Sequence, residues 1–377
     1  MLKHDMVTSP GALGPLVAQW DELAKATGRP YCAPAWSLAW WRHAAPPGAG
    51  LRVITAREDG RLIGVAPLYT VREGRRHSYL PLCSGLSPRV EPLAAPGRQH
   101  EVAAAICTAL SEACPTPDLV GFNGVPMTSP WPQLLTHEWP RRSPWVHEDV
   151  SRPAPIVNLR DTFEQWLQAR SRNFRQQMRR SRRQLERKGV QFVMVSSDAE
   201  LVDGLRSFAA LHYGRWHDRG GSGVLHPGVE AMLVDAGRAL LPEARFRLWL
   251  ARHEGRAISA HIFVAAGGEV SYWLGGFDEA WAAQHPSLLV ILEALEHCFT
   301  SGDRRLDLNS GGQGYKYRFA DSEDTLIWRT MLPRGRRYLR TRAATAPTRV
   351  ARAVYDRLPD NTRRLVKATL SGRRHSD

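Results

Sequence analysis

The chain has 377 residues, of which 43% are apolar and 23% are charged, and its formal net charge at pH 7 is +14. This length suffices for two domains with separate cores, and the composition excludes wholesale disorder. No apolar run reaches the ~20 residues of a membrane-spanning helix. The five cysteines show no metal-ligand spacing, so we expect no metal site, buried thiols and a cytoplasmic protein.

The first half is predicted to contain two helices, a hairpin, a strand, a helix and a strand, near residues 13–26, 35–43, 51–70, 78–83, 101–113 and 118–122. Residues 125–155 are rich in Pro and Trp, which predicts an irregular crossover. The second half begins with one predicted helix that Asp161 caps and Gly189 stops. Phe163, Leu167, Phe174, Met178 and Leu185 form its apolar stripe.

The rest of the second half follows the order of the first. The predicted elements are a strand, two helices of which Asp198 caps the first, a hairpin, a strand, a helix and two strands, near residues 191–195, 199–217, 229–241, 246–263, 270–274, 287–300, 305–308 and 325–331. Residues 51–68 and 246–263 align without gaps, and both alternate apolar and polar residues around Asp59-Gly60 or Glu254-Gly255. This repeat predicts two similar domains, with the working cleft between or beside them.

Two basic segments carry the excess charge. Residues 170–188 hold nine Arg or Lys and one Glu, and residues 334–377 hold thirteen Arg or Lys and three Asp. Such concentrated charge attracts phosphates, anionic lipid or nucleic acid. On the predicted helix we expect Arg175, Arg179 and Arg183 to meet a phosphate-bearing partner, because like charges on one arc repel unless an anion screens them. A solvated helix face is the alternative.

Four stretches of the second half, residues 171–189, 211–223, 272–281 and 306–319, together with the order of elements, resemble the GNAT acyltransferase superfamily. The duplication resembles its branch of Fem-type peptidoglycan-bridge transferases and CelD-like acyltransferases. The resemblance implies an α+β fold of tandem GNAT-like domains with mixed, mainly antiparallel sheets flanked by helices. Residues 1–150 would form the acceptor side, residues 151–333 the catalytic domain and residues 334–377 a basic tail.

Acyl transfer to an amine needs an uncharged nucleophile, an acceptor for its proton and donors for the developing oxyanion. No Ser/His/Asp or Cys/His arrangement is readable, and the resemblance implies direct transfer in a ternary complex, with main-chain N–H groups of strand 270–274 as donors. Lys316 is the predicted charged group, since the lysine at the matching Fem-type motif is thought to stabilise the transition state. Asp307 is predicted to accept or anchor the amine proton; a structural role is equally open.

The predicted acceptor site lies on the elements around strand 270–274. His212, Arg215 and Trp216 share one helix face, and an arginine beside an aromatic ring suits a sugar or a phosphorylated acceptor. Tyr272 is expected to line the cleft in place of Trp273, because neighbouring strand residues point to opposite faces. The remaining candidates for acceptor binding are Gly276, Phe277, Asp278 and Tyr315. The alternatives are a core position for Trp216 and structural roles for His212 and Asp278.

The donor is expected at the start of the helix that follows Pro286. Ordinary GNAT enzymes bind the pyrophosphate of coenzyme A at this place, which implies donor contacts from Ser287, Leu288 and Leu289. Their glycine-rich loop is absent here, so both an acyl-CoA and an aminoacyl-tRNA remain open as donors. The basic segments suit tRNA, and they suit an anionic membrane at the inner membrane face.

We therefore expect an N-acyltransferase without a bound cofactor, acting from acyl-CoA on an amine of a cell-envelope, polysaccharide or natural-product precursor. The first alternative is an aminoacyl-tRNA-dependent transferase that forms a peptide bond. The second is a non-catalytic module that binds nucleic acid or a membrane.

Overall fold

The computed structural model describes residues 2–217 and 221–345. Its strands are β1 (Leu2–Val7), β2 (Gly50–Glu58), β3 (Arg61–Glu73), β4 (Arg76–Pro81), β5 (Leu93–Ala94), β6 (Leu119–Pro126), β7 (Trp145–Asn158), β8 (Gln191–Met194), β9 (Phe246–His253), β10 (Arg256–Ala266), β11 (Glu269–Phe277), β12 (Arg305–Asp307) and β13 (Ser322–Leu332). They form one continuous sheet in the order β1-β2-β3-β4-β6-β13-β7-β12-β11-β10-β9-β8, and β5 pairs with β3.

Helices cover both faces of this sheet. They are α1 (Val17–Thr27), α2 (Pro34–His43), α3 (Gln99–Glu112), α4 (Trp131–His137), α5 (Phe163–Gln168), α6 (Arg172–Arg187), α7 (Asp198–His217), α8 (Pro227–Leu240), α9 (Pro286–Thr300) and α10 (Gly314–Tyr317), with short 3-10 turns at Pro10–Leu16, Pro30–Cys32, Leu241–Glu243 and Glu279–Gln284. None of the helices in the described ranges is both long and apolar enough to cross a bilayer.

The two hairpins predicted from the internal repeat are confirmed as β2–β3 and β9–β10. Each turns through two residues with positive φ, Asp59 (48°) and Gly60 (84°) in the first and Glu254 (49°) and Gly255 (77°) in the second. Two successive left-handed residues match the twist of the flanking strands, which explains the shared acidic-Gly pair in the sequence.

Each half contains a pair of parallel strands that separates after a short contact. β4 pairs with β6 only over Ser78–Tyr79, and β11 pairs with β12 only over Glu269–Ser271. Beyond these residues β12 has ended while β11 continues to Phe277, and β4 and β6 continue without pairing to each other. Each half therefore has a potential gap in its sheet at the same place in the repeat.

The connection between the halves is regular, which corrects the prediction for residues 125–155. It contains α4 and the long strand β7, and β13 pairs with β7 along its whole length and with β6 on its other side. Because β6 comes from the first half and β13 ends the second, the halves share one sheet where we expected two. The expected boundary at residue 150 lies inside β7.

Three buried clusters hold the helices on the sheet. One joins α1 and α2 of the first half to α7 and α8 of the second and includes Trp20, Trp36, Phe208 and Trp273. The second packs α5, α6 and α9 on the later strands, and the third packs α3 and α4 on the earlier ones. Four cysteines are buried as expected, but Cys114 is exposed.

The basic segment is two helices where one was predicted. α5 begins at Thr162, whose hydroxyl and Gln165 form a capping box, and α6 begins at Ser171, whose hydroxyl accepts the Phe174 N–H. Asp161 is not the cap, and Ser197, which accepts the Glu200 N–H, replaces the expected cap Asp198. Phe174, Met178 and Leu185 are buried as predicted, and Gly189 ends the segment with a φ of 72°. Of the predicted basic tail, residues 346–377 lie outside the described part of the chain.

Candidate active site

A cavity of about 620 Å³ opens where β11 leaves β12. One wall comes from the second half: residues 272–275 and Phe277 of β11, the start of α9, and residues 309–316. The opposite wall comes from the first half through residues 85–88 and Asn123, and from the shared strands through Arg152 and Trp328. The cavity thus lies between the halves, and Lys316, Tyr272 and Tyr315 of the second half border it.

The backbone of β11 is open toward this cavity. The side-chain amide of Asn309 donates to the carbonyl oxygen of Trp273 at 3.5 Å, so this carbonyl points into the gap. In an extended strand the N–H and C=O of one residue point the same way and those of alternate residues repeat the direction. β11 has a bulge at Trp273, and beyond it the Asp278 N–H donates to the carbonyl oxygen of Ile258 on β10. The N–H groups of Gly276 and Leu274 therefore also face β10, whereas the N–H of Gly275 faces the gap, where it can donate to an acyl oxygen.

The corresponding gap in the first half is filled. A space of only about 10 Å³ remains there, lined by apolar residues such as Pro81, Val120 and Phe122. Leu80 packs so tightly against Gly121 that a Cβ at Gly121 would lie 2.5 Å from it. Of the two gaps, the one in the second half has room for a substrate.

Lys316 on α10 lies in the cavity wall and is 4% exposed. Its Nζ donates to the carbonyl oxygens of Asn309 at 3.1 Å and Ser310 at 2.9 Å. Burial lowers the pKa of Lys316 to about 8, although the nearby charge of Asp307 acts to raise it. An ammonium group has three donors, so one remains for a ligand.

Asp307 does not line the cavity. It is 1% exposed, and one of its oxygens accepts the Asn309 N–H at 2.8 Å. The other pairs with Arg89 of the first half, which also pairs with Asp324 at 2.8 Å. Both carboxylate oxygens of Asp307 are thus engaged in holding the Asn309 turn and the segment that carries residues 85–88.

Tyr272 and Tyr315 meet in the cavity wall and share a hydrogen bond. Burial raises the pKa of both hydroxyls, so both stay protonated at neutral pH. Trp273 packs on the opposite side of β11 against Trp36 and Phe208. The edge of the Trp273 ring nevertheless borders the cavity. Tyr272 and Trp273 therefore both contribute to the wall, whereas only Tyr272 was expected to do so.

The predicted face of α7 is divided between the cavity and the interior. Arg215 and Trp216 line the cavity, with the Arg215 guanidinium 4.9 Å from the centre of the Phe277 ring. His212 is buried outside it, and its Nε2 lies 2.8 Å from the Ser222 hydroxyl. Burial and then the charge of Arg215 lower the pKa of His212. Trp216 is partly exposed, which excludes a core position.

His261 on β10 is a buried neighbour of the cavity that the sequence analysis did not select. Its Nε2 lies 2.9 Å from the hydroxyl of Ser287, which lines the cavity. Burial lowers the pKa of His261 to about 3, so the ring is neutral. The repeat held a signal for it, since His261 stands in the second copy where the first has Ala66.

Three other candidates lie beside the cavity. Gly276 packs against α7, where a Cβ would come within 3.0 Å of the His212 backbone nitrogen. Asp278 caps the turn Glu279–Gln284 by accepting the Ala280 N–H at 3.0 Å and lines a neighbouring cavity. Leu289 is fully buried, whereas Ser287 and Leu288 border the main cavity.

The arginines of α6 lie outside the cavity. Arg175 hydrogen-bonds Gln168, and Arg183 donates to the carbonyl oxygen of Arg179 at 3.3 Å. The start of α6 does lie close to α10, because Arg170 donates to the carbonyl oxygens of Phe319 and Ala320 at 3.0 and 2.9 Å. The segment before α6 therefore lies beside the residues that follow Lys316, whereas further along α6 Arg182 pairs with Glu293 of α9.

Comparison with known proteins agrees with this geometry. Residues 172–317 match the model of the Acetyltransferase (GNAT) domain family. No curated protein matches the chain significantly. Similar solved structures include FemX (TM-score 0.62, 11% identity, covering 88% of this chain and 97% of that one) and L-PGS from Bacillus licheniformis (0.54, 13%, 90% and 96%). A third is the C-terminal domain of a putative lysylphosphatidylglycerol synthetase from Agrobacterium fabrum (0.54, 11%, 87% and 95%).

At these identities the solved structures establish the fold alone. The fold is thus that of a two-half α/β protein with a splayed sheet. More particularly, residues 172–317 match the GNAT acetyltransferase domain family, and the whole chain shares its fold with FemX.

Proposed function

We propose that the protein is an N-acyltransferase that moves an acyl group from acyl-CoA to an amine of a cell-envelope, polysaccharide or natural-product precursor. The observation that carries this proposal is the open backbone edge of β11 beside a cavity that also contains the buried ammonium group of Lys316. Donors fixed in advance around a developing negative charge are the arrangement that acyl transfer requires.

In this proposal the acyl carbonyl oxygen is held by the N–H group of Gly275. The amine nitrogen attacks the acyl carbon, and the third N–H of Lys316 donates to the oxyanion of the tetrahedral intermediate. The C–S bond of the thioester then breaks, and the sulfur leaves as a thiol with the proton that the amine nitrogen loses. Tyr272 and Tyr315 support this last step, because their raised pKa keeps them protonated as donors to a leaving group.

The geometry at α9 makes an aminoacyl-tRNA the second candidate donor. The carbonyl oxygen of His285 accepts the N–H groups of Leu288 and Leu289 at 3.1 and 3.3 Å. The bond to Leu289 is the ordinary first bond of an α-helix, but the Leu288 amide is engaged as well and Pro286 has no N–H, so this first turn offers a pyrophosphate fewer free amides than an ordinary GNAT helix. The fold likeness to FemX and the exposed Arg179 and Arg183 on α6 support the tRNA donor.

The donor can be identified by direct binding and transfer. Coenzyme A and charged tRNA would each be titrated into the full chain at low and high salt, and transfer of label from acetyl-CoA or aminoacyl-tRNA to an amine panel would be followed. Acyl-CoA use predicts binding with a weak salt dependence. Use of tRNA predicts a steep one, which Arg179→Glu with Arg183→Glu would flatten while Arg61→Glu would not.

A non-catalytic module that binds nucleic acid or a membrane is the remaining alternative. It predicts vesicle or nucleic-acid binding without label transfer from either donor. Transfer from one donor, with loss at Lys316, would exclude it.

A further inference from the structure

The charged residues that line the cavity are all basic. The described residues that line it include Arg152, Arg215, Lys316 and His285, and no Asp or Glu is among them. Asp307 lies behind the wall and is engaged by Arg89 and Asn309. A ligand must therefore bring its own negative charge if the positive charge of the cavity is to be balanced.

Among the basic residues that line the cavity, Arg215 is the one with a buried nitrogen atom that lacks a hydrogen bond. Its Nε is buried without a hydrogen bond, and its guanidinium stacks on Phe277. Three carboxylates line the neighbouring cavity with Arg215, and all are engaged: Asp203 pairs with Arg252 at 3.0 Å, Asp278 caps a helical turn, and Glu279 also has a partner. The groups that Arg215 does influence include two neutral rings, since burial and then the charge of Arg215 lower the pKa of His212 and His261.

Arg152 stands on the opposite wall, at the mouth. Its guanidinium lies 5.2 Å from the centre of the Trp328 ring, and both residues border the cavity. The first-half wall thus also presents an arginine on an aromatic face. This pairing suits the flat, bidentate recognition of a carboxylate or phosphate.

We propose that the acceptor is an acidic amine, whose carboxylate or phosphate group binds Arg215 with Arg152 as a second contact. This inference depends on the proposed N-acyltransferase function and narrows its substrate class. The positive charge of the cavity also explains how the attacking amine becomes neutral. A cavity rich in positive charge disfavours an ammonium group, so a bound amine loses its proton to water at the open mouth and attacks in its neutral form.

The test uses malonate and inorganic phosphate as probes on the full chain without donor, by calorimetric titration and thermal shift. Both anions are compared on the wild type, Arg215→Gln, Arg152→Gln and the exposed control Arg61→Gln. We expect at least one anion to bind the wild type and to bind R215Q about tenfold or more weakly, with R61Q unchanged, because charge-assisted hydrogen bonds are lost. Preference for malonate assigns a carboxylate, and preference for phosphate assigns a phosphate.

Unchanged affinity in R215Q, or no binding of either anion to the wild type, would overturn the inference. If R215Q does not fold, Arg215→Lys and R152Q replace it: weaker binding in either supports the proposal, and wild-type affinity in both overturns it. Since no donor is present, these results are independent of acyl transfer. Transfer to neutral amines together with an absence of anion binding would reject this inference and leave the proposed function standing.

Discussion

Lys316 experiences two opposing influences. Burial favours its neutral form, whereas two backbone carbonyl oxygens and the charge of Asp307 favour the ammonium form. With a pKa of about 8, Lys316 is mostly charged at pH 7 and mostly neutral above pH 9. A group poised in this way changes its charge within the range in which an enzyme can be assayed.

The lowered pKa of Lys316 predicts how turnover depends on pH. If the ammonium form stabilises the oxyanion, kcat should fall as the pH rises through about 8, because the charged fraction of Lys316 falls there. Lys316→Arg should move that fall to higher pH, since a guanidinium remains charged. The measurement is kcat against pH for both proteins with saturating amine. A wild-type rate that rises through pH 8, with K316R inactive throughout, would indicate a base and contradict the oxyanion role.

For single residues, the sequence predicted which side chains border the cavity better than it predicted what those side chains contact. Lys316, Arg215, Tyr272 and Ser287 border the cavity, but Asp307 stands behind its wall. The pattern of β12 could not reveal this, because the partner of Asp307 is Arg89, more than 200 residues earlier in the chain. Contacts of that range leave no local signature.

At the scale of elements, the open edge of β11 depends on close packing behind it. His261 lies across from Gly275 on β10, and a Cβ at Gly275 would come 2.3 Å from its Nδ1. The His261 ring is buried and held by Ser287, so it cannot move aside easily. Position 275 thus requires glycine because the His261 ring leaves no room for a Cβ, and also because its backbone faces the cavity.

We expect Gly275→Ala to lower the free energy of unfolding by about 1–3 kcal/mol, because the buried ring and strand must shift. Gly214→Ala is the matched control, since a Cβ there has nothing within 4 Å and lies on the helix α7. That control should leave stability unchanged or raise it by up to about 1 kcal/mol. Chemical denaturation measures both, and a G275A protein as stable as the wild type would contradict this packing.

Among the helices, the break between α5 and α6 was not predicted, for a physical reason. The apolar period continues across residues 169–171, so periodicity alone indicates one helix. The hydroxyls of Thr162 and Ser171 each accept an N–H of the following turn, and these local caps divide the segment.

At the scale of the whole molecule, the halves are joined by the exchange of strands. β13 lies between β6 and β7, and the ion pairs of Arg89 with Asp307 and Asp324 connect the halves beside the cavity. The duplication and the hairpins could be predicted from the repeat, and the open strand at residues 270–274 was implied by the resemblance to GNAT enzymes. The merged sheet could not, because strand pairing between distant segments depends on packing that no local pattern records.

This arrangement predicts that neither half folds alone. Chains of residues 1–144 and 145–345 expressed separately should lack a cooperative unfolding transition, since the first leaves β6 without β13 and the second leaves the other edge of β13 open. Co-expression should restore a complex that unfolds in one step. Circular dichroism and tryptophan fluorescence during denaturation provide the measurement, and a cooperative transition in the isolated first half would contradict the prediction.

The central claim is that acyl transfer takes place where β11 parts from β12, with Lys316 at the developing charge. The most direct measurement is the rate of label transfer from the identified donor for the wild type, Lys316→Met and the exposed control Lys3→Met. We predict that K316M lowers kcat by about 10²–10³-fold with a much smaller change in KM, as loss of an oxyanion donor does, and that K3M matches the wild type. A folded K316M protein with wild-type kcat would contradict the claim.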